Sequence, residues 1–465
     1  MEPALLRRTA DIAAEYLASL PERPVRADAS LEELRSALRV GLDDAPRPAL
    51  QVIEELVAAA DPGLIGSQGP RYFGFVIGGA LDSAIAADWL TSAWDQNGGG
   101  FPVGPSAAVA EEVACEWLLD LLGLPDDAGV GLTTGCQMAH VTCLAAARHR
   151  VLADAGWDVE DDGLFGAPPV RVLLGARAHT TVFAALRMLG LGSRRVELVA
   201  ADDQGRMREP ELARLLAGGE GPAIVIAQAG EVNTGAIDAM PAIARLAREH
   251  GAWCHVDGAF GLWAAASPAL RGLVDGVAEA DSWATDAHKW LNVPYDSGVA
   301  IVRDRTAHSA AMNSVAGVEY IPEPRHDERY STEWVPEFSR RARGFAVYAA
   351  LRELGRNGVA ELVERCCACA RLMADELARD PRVTLLNEVV LNQVLVRFET
   401  EGVNVTGEVI DAVQREGTCW MSGTEWQAEP AMRISVCNWR TTEADIRRSA
   451  TAILAQADVA AQASR

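Results

Sequence analysis

Read as a pattern of apolar and polar positions, the chain changes character twice. The first 60 or so residues carry apolar positions at helical spacing, and "ASLEELRSALRV" pairs Ser30 with Glu33, the spacing of a capping box. From about residue 100, short apolar runs alternate with amphipathic segments. The runs "VRVLLGA" (170–176), "VELVA" (196–200), "AIVIAQA" (223–229), "AWCHVD" (252–257), "DSWAT" (281–285) and "GVAIVRD" (298–304) are predicted strands. Stretches such as "TTVFAALRMLG" and "MPAIARLAREHG" are predicted helices. This alternation predicts an α/β sheet, mostly parallel and covered by helices on both faces. A long helix, "RARGFAVYAALRELG", follows, and the last hundred or so residues mix strands ("RVTLLNEVVLNQVLVRFE", "AMRISVCNW") with helices, as a smaller α+β domain does. The organisation expected is a helical segment over 1–66, a large domain over 67–345 and a small domain over 346–465.

Ligands of open α/β sheets sit beyond the C-terminal ends of the strands. Those ends collect His179 after the 170–176 run, Thr234 in "EVNTG" after 223–229, Asp257 at the end of "CHVD", and "DAHK" after "DSWAT". A Gly/Thr-rich turn, "GLTTGCQMAH" (131–140), leads into a helix and offers free backbone N–H groups to a phosphate.

Composition sharpens one of these positions. Of the 42 basic residues a single one, Lys289, is lysine; the other 41 are arginines. A guanidinium stays protonated, whereas an amine can lose its proton and attack a carbonyl to form a Schiff base. Lys289 is therefore the candidate for a task that arginine cannot perform. The formal net charge of −23, with nothing more basic than short pairs such as "SRRAR" (339–343), argues against a nucleic-acid binder. The N-terminus has no apolar core of signal-peptide type and no stretch reaches about 18 uninterrupted apolar residues, so a soluble, cytoplasmic protein with no membrane partner is expected. The nine cysteines are odd in number and irregular in spacing, which argues against a disulfide framework. "CCAC" (366–369) lies in a helical pattern and reads as buried thiols; no catalytic metal is expected. A lysine, a strand-end carboxylate, an aromatic side chain and a helix N-terminus together suit pyridoxal phosphate: imine, ring-nitrogen partner, stacking group and phosphate holder.

The stretches "HVDGAFGLW" (255–263) and "DSWATDAHKW" (281–290) give the sequence a family resemblance. It resembles the group II pyridoxal-phosphate-dependent amino-acid decarboxylases, which include aromatic-amino-acid and glutamate decarboxylases. The similarity runs from "GPRYFGFV" near residue 70 to "MRISVCNW" near 439. It implies a fold-type I enzyme, with a mostly parallel seven-stranded sheet, an N-terminal helical segment and a smaller C-terminal α+β domain. It implies pyridoxal phosphate as cofactor and a homodimer with active sites at the subunit interface.

Carried over by position, Lys289 bears the cofactor, Asp257 pairs with the ring nitrogen, and Ala259 and His179 lie against the two ring faces. Thr234 lies near the ring hydroxyl. The turn Thr134, Gly135, Cys136, Gln137, with Asp286 and His288, is placed at the phosphate. Phe75, Val76 and Ile77 match the wall beside the substrate side chain, and Arg433 matches an arginine associated with the substrate carboxylate. Tyr320, in the loop-like "GVEYIPEPRHDERYSTEW" (317–334), matches the tyrosine linked to return of a proton to the α-carbon. The pattern departs in four places. Cys136 and Gln137 replace Gly and Ser, His140 falls where Asn is more usual, and Asp286 stands where many members have Asn. A carboxylate beside a phosphate is repulsive unless protonated or turned away. The implied activity is decarboxylation of an L-amino acid, leaning aromatic or large apolar, to an amine. Oxidative decarboxylation-deamination to an aldehyde, another reaction on the same fold, and a non-catalytic homologue are the alternatives.

Overall fold

The computed structural model describes residues 3–313 and 328–463. Seven strands form the main sheet: β1 (Gly129–Thr133), β2 (Arg171–Gly175), β3 (Glu197–Val199), β4 (Ala223–Gln228), β5 (Trp253–Asp257), β6 (Ser282–Asp286) and β7 (Gly298–Val302). Their order is β1-β7-β6-β5-β4-β2-β3. The pairs β2–β3, β2–β4, β4–β5 and β5–β6 are parallel, and β7 alone runs antiparallel to its neighbours. All six predicted strands are present.

The seventh, β1, went unpredicted because "GVGLT" carries two glycines where a strand would carry β-branched residues. Gly131 is there for lack of space: a Cβ would lie 2.1 Å from the carbonyl oxygen of Trp334.

The central strands are buried along their whole length; β4 and β7 accordingly read as apolar runs, while β5 and β6 also bury His255, Asp257, Ser282, Thr285 and Asp286. Alternate residues still go to opposite faces. Leu173 and Val225 join one core, with the Met240–Glu249 helix; Val172, Leu174, Ile224 and Ile226 join the other, with the helices Cys136–Asp154 and Thr180–Met188.

Beyond the sheet, the helix Gly344–Leu377 is interrupted only at Gly355 and buries Cys366, Cys367 and Cys369, the thiols of "CCAC". It packs on the C-terminal helix Glu443–Ala463. A second, antiparallel sheet holds the strands Gln393–Thr400, Glu429–Ser435 and Ser422–Trp426. The last, "SGTEW", has too few apolar residues to be read as a strand. At the other end, Ser30 and Glu33 form the expected capping box. The helices Pro3–Ser19, Leu31–Leu38 and Ala49–Ala60 bury no residue in this chain.

Candidate functional site

Strand ends β5 and β6 and the N-terminus of the Cys136–Asp154 helix meet at one place. Asp257 is the last residue of β5 and Asp286 the last of β6. Lys289 follows in the turn after β6, and its Nζ lies 3.2 Å from Asp286 Oδ2. The other oxygen, Asp286 Oδ1, accepts the backbone N–H of Cys136 at 2.6 Å. The helix N-terminus assigned to a phosphate thus already holds an anion, the Asp286 carboxylate. His288 completes this arrangement. Its Nδ1 accepts the N–H of Ser297 at 3.2 Å, which leaves Nε2 as the N–H facing Asp286 Oδ1 at 3.4 Å. Burial keeps the His288 imidazole below its usual pKa, despite Asp286 beside it.

The electrostatics of Lys289 reverse a simple expectation. Burial alone pushes the amine down. Asp286, with smaller effects from Cys136 and Asp257, outweighs burial and holds the amine as an ammonium above its usual range. Asp257 is 6% exposed and held well below the usual carboxylate range. Burial opposes this, but His140 by charge and hydrogen bonding, then His179 and Lys289 by charge, overcome it. Asp257 Oδ1 also accepts the N–H of Ala259 at 3.2 Å. His179 is the N-cap of the Thr180–Met188 helix, with Nδ1 2.8 Å from Thr181 Oγ1. Burial lowers its pKa, with the nearby Asp257 opposing.

The segment 72–81 runs behind the lysine. A Cβ on Gly78 would lie 2.0 Å from the Lys289 carbonyl oxygen, so only glycine permits this approach. Phe75 and Val76 both have positive φ, 53° and 56°, a strained conformation for a β-branched valine. The wall expected from Phe75, Val76 and Ile77 is divided: Val76 is packed into the core, Phe75 is 56% exposed, and Ile77 lies between. Phe75 meets Trp420 at 5.2 Å, and Tyr72 stacks on the same indole at 5.0 Å.

Thr234 and Arg433 belong to a neighbouring cluster around Glu231. The Thr234 hydroxyl donates to Gln204 O at 2.7 Å, and its backbone N–H donates to Glu231 Oε2 at 2.8 Å. Arg433 makes no salt bridge among the described residues, and its Nε is buried without a partner. Tyr320 lies outside the described residues.

Sequence reading missed Asn292, which is fully buried and joins three segments. Its Oδ1 accepts the N–H groups of Gly79 at 2.8 Å and Trp439 at 3.0 Å, and its Nδ2 donates to Trp290 O and Cys437 O at 2.9 and 3.1 Å. An asparagine three residues past a lysine carries no signal of such long-range bonding. Also missed were His255, two residues before Asp257 on the same strand face, and Tyr295, whose ring lies 4.3 Å from that of His288.

The model of the pyridoxal-dependent decarboxylase conserved domain matches residues 32–399. The chain is 24% identical over 446 residues to an aromatic-L-amino-acid decarboxylase of Bacillus atrophaeus, covering 93% of this chain and 90% of the relative. It is 26% identical over 366 residues to an acidic amino acid decarboxylase of Xenopus tropicalis, covering 77% of this chain and 70% of the relative. Among solved structures it is similar to Oryza sativa TDC with PLP and tryptamine, with a TM-score of 0.90, 22% identity and 99% of each chain covered. Among the described residues no helix is long and apolar enough to cross a membrane.

Proposed function

We propose that this chain, which belongs to the pyridoxal-dependent decarboxylase family and is a pyridoxal-phosphate-dependent amino-acid carboxy-lyase of fold type I, acts on an aromatic or large apolar L-amino acid and releases its amine and CO₂. One observation carries the reading: the chain's only lysine stands between two buried carboxylates, bonded to Asp286 at 3.2 Å and within electrostatic range of Asp257.

These residues fit the cofactor. Asp257 is buried yet ionised, as a group that keeps a ring nitrogen protonated must be. The Cys136 N–H and the His288 imidazole already converge on an anion. Bound pyridoxal phosphate supplies a sink for the electron pair left behind when CO₂ departs. In this reading Lys289 would hold the cofactor covalently, and Asp257 would keep a proton at the ring nitrogen. His179 and Ala259 would confine the ring, and Thr234, whose hydroxyl here donates to Gln204 O, would be its further neighbour. Thr134, Gly135, Cys136, Gln137 and His288 would hold the phosphate, which would have to take the Cys136 N–H from Asp286, its acceptor here at 2.6 Å. Arg433, a guanidinium with no ion pair among the described residues, takes the substrate carboxylate. Tyr320, outside the described residues, would return the proton to the α-carbon.

The substrate class rests on Phe75, Ile77 and the aromatic pair Tyr72 and Trp420, carried on and against the segment whose Gly78 packs on the Lys289 carbonyl. A distal carboxylate needs a cationic partner, and this wall offers none. A panel of L-amino acids scored together for CO₂, amine, ammonia and peroxide tests the proposal. The expected result is CO₂ and amine in equal amounts from tryptophan, tyrosine or phenylalanine. Turnover of glutamate alone overturns the substrate class. Peroxide and ammonia in step with CO₂ overturn simple decarboxylation.

The active form proposed is a homodimer with the site at the subunit interface. Phe75, Trp89, Trp94 and Val103 are each more than a third exposed, and the three N-terminal helices leave Leu6, Leu31 and Leu56 uncovered. Two-fold dimers bury surfaces of this kind. Light scattering is expected to give twice the chain mass of 49.6 kDa. An active chain lacking residues 1–60 that scatters as a monomer contradicts the arrangement.

A further inference from the structure

Behind Asp257 lies a line of polar side chains with no access to solvent. His140 Nε2 is 3.6 Å from Asp257 Oδ2 and 3.5 Å from Cys136 Sγ. On the other side of the ring, His140 Nδ1 is 2.9 Å from His255 Nε2. His255 Nδ1 is 2.8 Å from Ser282 Oγ, which accepts the Trp253 indole N–H at 2.9 Å. His140, His255 and Ser282 are each fully buried. The elements explain the alignment. His140 lies one helical turn after Cys136, on the same face of the helix. His255 and Asp257 lie two apart on β5, also on one face.

The hydrogens along this line have few arrangements open to them. Burial and the neighbouring His140 keep the His255 imidazole near a pKa of about 3, so it is neutral, with one N–H and one lone pair. Ser282 Oγ already accepts from Trp253, so its own hydrogen is free for His255 Nδ1. His255 then donates from Nε2 to His140 Nδ1, and His140 carries its hydrogen on Nε2. The reverse direction puts a hydrogen on His140 Nδ1. A neutral His140 would then turn a lone pair towards the Asp257 carboxylate, which is repulsive. As an imidazolium it avoids that and again presents Nε2–H; a neutral ring avoids it only where Nε2 accepts the Cys136 S–H, 3.5 Å away. In the first two arrangements an N–H faces Asp257, and in the third the carboxylate loses that donor.

We propose that His140 is a positioning residue for Asp257, holding an N–H against its carboxylate, and that His255, Ser282 and Trp253 fix which nitrogen of His140 carries that hydrogen. The inference rests on Asp257 being the working carboxylate. Burial of the carboxylate costs free energy unless donors surround it; the Ala259 N–H donates to Oδ1 at 3.2 Å, and His140 Nε2 stands 3.6 Å from Oδ2. A packing role and a donor role separate cleanly. Leucine at 140 fills the volume without a donor; asparagine is smaller but carries an N–H.

The test uses the holoenzyme labelled with ¹⁵N-histidine, with His140 assigned by its loss in His140→Asn. Long-range ¹H–¹⁵N correlations are expected to show hydrogen on His140 Nε2. A neutral His140 with hydrogen on Nδ1 overturns the proposal. In kinetics with the amino acid that yields CO₂, His140→Leu is expected to lower kcat about tenfold to a hundredfold, the worth of one hydrogen bond to a charged group. KM should hold, and His140→Asn should recover most of the loss. Leu outperforming Asn means packing, and overturns it. Should His140→Leu not fold, Ser282→Ala decides: several-fold lower kcat with a changed His255 tautomer supports the proposal, and unchanged spectra and kcat refute it. Asp257→Asn separates the two readings. If it too is harmless, the role of Asp257 fails; if it is damaging while the His140 variants are silent, the His140 inference fails alone.

Discussion

Lys289→Arg is expected to give a folded chain to which borohydride fixes no pyridoxal phosphate. The chain has no second lysine to take over. Arginine keeps the positive charge beside Asp286, now met at 3.2 Å by the ammonium, so the surrounding bonds survive. What is lost is a nitrogen that can give up its proton and attack a carbonyl. Mass mapping after reduction should place the cofactor on the peptide containing Lys289 in the parent chain and on no peptide in the variant. Cofactor fixed at an internal position of Lys289→Arg would falsify the assignment. Asp286→Asn is the companion. Asp286 is the main influence holding the amine as an ammonium, so its removal lowers the pKa of Lys289. The rate of covalent attachment should then begin to rise at lower pH than in the parent chain. An unmoved profile means that Asp286 does not govern the amine.

The second large effect is expected at Asp257. Asp257→Asn keeps the size and one acceptor oxygen but removes a charge that His140, His179 and Lys289 together stabilise. Charge stabilisation aimed at a transition state in a dry site is commonly worth about 2.7–4 kcal/mol, or about 10²–10³ in rate. Turnover should fall by that factor, with cofactor content nearly intact, as read by absorbance of the bound cofactor against protein concentration. Loss of cofactor and rate in equal proportion would assign Asp257 to binding alone. A near-normal rate would detach it from the ring nitrogen.

Much of this was legible along the chain, for physical reasons. Strands β2, β4 and β7 are buried on both faces and so carry apolar runs, and β5 and β6 keep enough apolar residues to be read beside them. Strand-end chemistry followed from where such runs stop, which located His179, Asp257 and Lys289. Strand β1 stayed hidden because its glycines answer to Trp334, some 200 residues away. Asp286 was recognised as an odd neighbour for a phosphate; that its carboxylate would cap the Cys136 helix and pair with Lys289 needed the geometry of three elements at once. His140 stood out only as an exception to a family pattern. Its contact with His255 depends on a helix crossing a strand, which no local period records.

Asn292 has a consequence for how the molecule is made. Its side chain bonds the lysine's own turn to Gly79, 213 positions earlier, and to Cys437 and Trp439, 145 and 147 positions later. Contacts so distant in sequence form late, because the entropy of closing such loops is spent before the bonds repay it. During synthesis the N-terminal parts of a chain fold first. The turn carrying Lys289 therefore leaves the ribosome well before the residues that clamp it. The sole lysine spends that interval next to an asparagine whose amide still lacks its C-terminal partners. A ribosome-bound chain stalled before residue 437 should hold an unfinished site, and only release of the final segment lets the lysine's turn settle.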